Sequence, residues 1–174
     1  MKVQQRLTCL IASGACTFAL AAPDLAPVML ATTTVNDCAR VANEIAATPV
    51  PAGHAEANLA AKTNTQVTDA KQKIAVAPEH AQFAQKMESD SGRLDACGKN
   101  VQPAIKQAQD HLAKVAKAGN LTQQDIAAIQ PAMAALGKAQ EDLRQAVERL
   151  TQDKIKQSYL NQPLNNHFLK AAKP

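Results

Sequence analysis

Between Ile126 and Leu150 the residues Ile126, Ile129, Met133, Leu136, Leu143, Val147 and Leu150 recur at alternating spacings of three and four, broken only at Gln140. That is the period of one helix face held for about three and a half heptads, and an alternating strand cannot present it. Ala128, Ala132, Ala135, Ala139 and Ala146 flank the seam, so a second helix can approach it closely. Thr122, with Asp125 three residues on, supplies a capping box at its start, Asp standing in for the usual Glu.

A second long seam precedes it. Met87, Leu94, Cys97, Val101, Ile105, Ala108, Leu112 and Val115 predict a helix over 79–118, which Gly119 and Asn120 then stop. The turn between these two helices is short, so they must run antiparallel as a long hairpin. Within the first arm lies the stretch Cys97-Gly98, followed by Pro103. Proline lacks an N–H and crowds the carbonyl of Lys99, yet the apolar phase continues through Ile105, which predicts a kinked helix and not an end. Gly98 is expected to make room for a crossing helix.

Shorter elements complete the pattern. Val35, Cys38, Ala42 and Ile45 mark one face of a helix that Thr34 and Asp37 cap, ending at the Thr48–Gly53 stretch TPVPAG. A weaker stripe of Leu59, Val67, Ala70 and Ile74 suggests another helix over 54–77, and Pro78 suits the first turn of the next. Residues 22–33 hold two prolines and no period and read as a flexible leader. The bundle domain is placed at 34–158 and a C-terminal tail at 159–174, either loose or forming one short helix. Asp69–Lys73, Asp95–Lys99 and Asp110–Lys114 stand at the i,i+4 spacing of solvated ion pairs. Alanine, glutamine and lysine dominate the composition, all good helix formers, and the chain has no tryptophan. The expected fold is all-α: a three- to four-helix bundle built on a long antiparallel helical hairpin and stapled by one disulfide.

The staple follows from the expected compartment. Lys2 and Arg6 precede a mostly apolar run, Leu7 to Leu20, and then small residues, the layout of a signal peptide over 1–21 with cleavage after Ala21. The run is too short to span a membrane comfortably, and no later stretch is longer. Cys9 and Cys16 would leave with that segment, so the exported chain keeps Cys38 and Cys97. An even pair in a periplasmic or secreted protein points to a disulfide. Both cysteines lie on apolar faces of different helices, as a crosslink requires. Closing a loop of about 60 residues is worth on the order of 4 kcal/mol at most in the chain-entropy treatment.

Chemistry is thinly represented. His54, His80, His111 and His167 are far apart in sequence, without His-x-x-x-His or Glu-x-x-His spacing, and are expected at the surface. No Cys-x-x-Cys, phosphate-binding glycine loop or nucleophile elbow occurs. The net charge of +4 is spread among acids, with two of its basic residues, Lys2 and Arg6, in the expected signal segment, so no nucleic-acid partner is indicated. No cofactor or metal is assigned. The functional expectation is an exported, non-enzymatic bundle acting by protein–protein interaction: an envelope, chaperone-like or secreted module that binds an unknown partner or itself. The alternative is a carrier of a small apolar ligand, haem or metal, with Met87 or Met133 and His111 as conceivable haem ligands.

Overall fold

The computed structural model describes residues 23–55, 78–119 and 121–169. The expected signal segment and residues 56–77 of the expected second helix, with Asp69 and Lys73, lie outside the described residues. Those described form α1 (Ala26–Ala47), α2 (Pro78–Lys117), α3 (Gln123–Gln152), α4 (Lys154–Pro163) and a closing π-helical turn, Leu164–Leu169, with no strand among them.

The two arms are as the spacing predicts, and α1 holds them together. Its buried residues Val28, Ala31, Val35, Cys38, Ala42 and Ile45 step by three and four, with Ala39 alongside. Small side chains at 31, 39 and 42 let both arms close in, and α1 packs extensively against α2 and against α3. Burying each of Val28, Val35 and Ile45 contributes about 1.5–3 kcal/mol. Polar contacts set the directions. Asp24, just before α1, accepts a hydrogen bond from His111 through its carbonyl, whereas Glu44 near the C-terminal end pairs with Arg93 at 2.6 Å. Thus α1 runs antiparallel to α2. It runs parallel to α3, sharing a groove in which Asn36, Arg40 and Asn43 face Asp142, Gln145 and Arg149.

Cys38 and Cys97 are joined in a disulfide between α1 and α2, with their Cα atoms 5.3 Å apart. The hairpin turn follows the predicted chemistry: Gly119 takes a φ of +74°, and Thr122 and Asp125 form a reciprocal capping box. α2 passes through Pro103 without ending. On its surface Lys99 pairs with Asp95 as expected, but Asp110 pairs with Lys106 and not with Lys114.

Two boundaries differ from the sequence reading. The leader assigned to 22–33 is helical from Ala26. Pro27 sits in the first turn, where its missing N–H has no cost, and Thr32, Thr33 and Thr34 each donate their hydroxyl to the carbonyl four residues earlier. Thr34 is therefore mid-helix and caps nothing. At the other end, 158 is not a boundary. Asp153 accepts hydrogen bonds from the backbone of Ile155 and Lys156, breaking α3 from α4 and starting the new helix. Leu160 and Leu164 are then fully buried.

Gly98 also has a different neighbour. A Cβ there would come within 2.8 Å of the His167 Cβ, so the glycine accommodates the C-terminal turn and not α1. His167 Nε2 meets Asp95 Oδ1 at 2.7 Å beside it, fixing that turn to α2.

Two expectations follow for stability. Reducing the disulfide, or replacing both cysteines by serine, lowers the unfolding free energy by about 2–4 kcal/mol in urea titrations. Gly98→Ala costs about 1–3 kcal/mol by overpacking against His167, despite alanine's better helix propensity, whereas Gly92→Ala and Gly137→Ala, which meet open space, each gain up to about 1 kcal/mol.

Candidate functional site

Gly53, at a φ of +73°, turns the chain out of the proline-containing connection, and the His54 amide bonds back to the Pro51 carbonyl. The imidazole that follows is directed under the start of α2. His80 lies there on the same helical face as Phe83, Met87 and Leu94, at spacings of three, four and seven. Tyr159 arrives from α4.

These side chains form one buried cluster. His54 Nδ1 is 3.2 Å from His80 Nδ1, and His54 Nε2 is 3.0 Å from the Tyr159 hydroxyl. Phe83 meets His54 edge-on, with ring centroids 4.6 Å apart. Only 3% of His54 and 6% of His80 is exposed. The expectation of surface histidines fails for both, because each falls on the inward face of its segment. His167, held by Asp95, is partly buried too, and His111 lies at the surface against the Asp24 carbonyl.

The hydrogen-bond inventory of imidazole decides what the pair can hold. Two facing Nδ1 atoms bond only if one donates and the other accepts. If the Tyr159 hydroxyl donates to Nε2 of His54, His54 donates through Nδ1; if His54 donates to the phenol, it accepts from His80. Either way one proton lies between the rings. Burial, and then the neighbouring His80, pushes the His54 pKa below its ordinary value. Burial raises the Tyr159 pKa, and Glu88 adds to the effect. No group of three or more metal-ligating side chains gathers here or elsewhere among the described residues.

A second polar cluster ties α1 to α2. Asp90, 2% exposed, receives Lys86 at 2.7 Å and Arg93 at 2.9 Å, and Arg93 continues to Glu44. Arg93, and then Arg40, holds the Glu44 carboxyl below its usual range. Lys156 is buried against α1 and donates to the Ala46 carbonyl, close to Asp153. Among these groups every charge has a partner, and the arrangement is that of a fastening. The surface grooves are open, and the two along α1 are lined mainly by polar side chains such as Asn43, Arg149 and Asp153.

Of the site residues read from sequence, the structure joins Cys38 and Cys97. Met87 and Met133, the conceivable haem ligands, are not brought together with His111: Met87 is fully buried and Met133 is 53% exposed. Missed were His54, His80, Tyr159 and Asp90. His80, Phe83, Met87, Asp90 and Leu94 share a strict three-four spacing, so two of the four were within reach of the pattern once polar residues were admitted to it.

Compared with protein-family models, with curated proteins and with solved structures, the chain gives no match. The class that the fold defines is an all-α bundle stapled by one disulfide.

Tyr159→Phe removes the hydroxyl from His54 Nε2 and leaves a buried ring nitrogen unpaired. A loss of about 1–3 kcal/mol in unfolding free energy at pH 7.5 is expected from denaturant titration.

Proposed function

We propose that the protein is exported and works without catalysis, by binding a helix of a partner protein at the turn end of the α2–α3 hairpin. One observation carries this reading. The apolar seam of α3 starts at Ile126, but its first buried residue is Leu136. Ile126 and Met133, which belong to the seam by spacing, are 41% and 53% exposed.

The cause is the length of α1. Its N-terminal end meets α2 at His111, so both arms run on past it. Lower down, α1 itself fills the seam, packing its small and branched side chains against α3. A helix continuing the line of α1 would find the same surface, with Ala128 and Ala132 permitting close approach. Such an occupant would present apolar residues at three-four spacing. Met29 and Leu30 are also exposed, near the start of α1.

Export is inferred from the basic and apolar start of the chain and is supported by the disulfide. No helix among the described residues is long and apolar enough to cross a membrane.

A photo-crosslinking residue placed at 133 or 126 in the native host tests the reading. We expect a discrete adduct that is absent when the label is moved to Lys106 and lost when the partner position carries Ile126→Lys or Met133→Lys. Those substitutions should leave unfolding free energy within about 0.5 kcal/mol of the parent. A second copy of the chain or a different protein in the adduct identifies the occupant. No adduct at either position, together with a monomeric purified protein, overturns the proposal.

A further inference from the structure

We propose that the His54–His80 pair is an acid-released clasp. When both imidazoles take up a proton, the 48–55 connection parts from the start of α2 and from α4, uncovering the apolar surface around Phe83.

The geometry carries the inference through its proton inventory. With the pair neutral, one shared proton satisfies both Nδ1 atoms. A first added proton is still accommodated: His54 then donates from Nδ1 to His80 and from Nε2 to the Tyr159 oxygen. A second added proton is not. Both Nδ1 atoms become donors, facing each other at 3.2 Å with like charge, and the bond between them is lost.

Among the described residues the rings facing His54 are those of His80 and Phe83 from α2 and Tyr159 from α4, and none of them supplies a negative charge at acidic pH. Tyr159 is a neutral phenol at acidic pH. Glu88 acts on Tyr159 from further along α2. On α4, Lys156 is engaged with the preceding Asp153 and with the Ala46 carbonyl. Among the described residues, the histidine that pairs with a carboxylate is His167, not His54 or His80.

The direction with pH follows from the lowered His54 pKa. A histidine that is harder to protonate when folded contributes stability above its unfolded pKa, and that contribution is lost as the pH falls through its folded value. Lys99, and then His167, keep the Asp95 carboxyl below its usual range and so ionised in that window. Acid therefore loosens the His54 corner while the C-terminal turn stays fastened. This corner lies at the far end of α2 from Ile126 and Met133, so the clasp is independent of whether that tip has a partner.

The chain supplies its own probe, since Tyr159 is its single tyrosine and it has no tryptophan. Tyrosine fluorescence of the full chain reports on this corner. We expect one reversible step between about pH 6.5 and 4.5, with helix content retained and binding of an apolar dye increased. In the His54→Gln/His80→Gln variant the step should vanish or move down by at least about one pH unit. A flat tyrosine signal in the parent, or an unchanged step in the variant, overturns the clasp. Should the variant not fold, histidine ring resonances of the parent decide. Two separated titrations, the lower coincident with the Tyr159 change, support it. Both rings titrating together near about pH 6.5, with Tyr159 unchanged, overturn it.

Discussion

The fit of α1 between the two arms is the constraint on which the rest of the bundle depends. α2 and α3 each offer a long apolar stripe, and the short turn between them brings those stripes to one side. A third helix must fill the space, and it must be slim. Ala31, Ala39 and Ala42 make α1 slim where it meets the arms, while Val28, Val35 and Ile45 supply the apolar contact. The disulfide then fixes the register of α1 on α2 at one point, and the Glu44–Arg93–Asp90 chain fixes it two turns further on. Sliding α1 by a turn would break both together.

Each end of the bundle deals differently with the surface that α1 does not cover. Towards the His54 corner, α4 and the π-helical turn fold back over α2, bringing Leu160 and Leu164 into the core and Tyr159 against it. Towards the hairpin turn no described element plays that part, and the α3 seam stays open at Ile126 and Met133. One end is thus closed by polar fastening and apolar packing together, and the other presents bare helix.

The arms, the hairpin turn, the capping box and the disulfide were legible in the sequence because each depends on neighbours in the chain or on a simple period. The true start of α1 was not. Pro23 and Pro27 look like breakers, yet a proline in the first turn is compatible with a helix, and Val28 and Ala31 carry the phase of Val35 backwards. The C-terminal turn was hidden for another reason. Its sequence around Asn165 and His167 has little helical period, and it is ordered by what it meets: Gly98, which leaves space for it, and Asp95, which bonds to it. The histidine cluster was obscured by the habit of counting only apolar residues in a core stripe. Buried polar groups satisfy one another across segments distant in sequence, and that information is not present in either segment alone.

The long reach of these contacts bears on how quickly the chain can assemble. Helical bundles usually fold fast because their contacts are local. Here His54–Tyr159, Asn43–Arg149 and Lys156–Ala46 join residues 105, 106 and 110 positions apart. Bringing such distant segments together carries a loop-closure entropy that local helix formation does not offset. The bond between Cys38 and Cys97 provides a shortcut across 59 of those positions. Once it has formed, α3 and α4 search for α1 over roughly half the original tether. The crosslink thus acts on the folding route as well as on the finished structure: oxidation turns a slow, non-local docking into a nearer one.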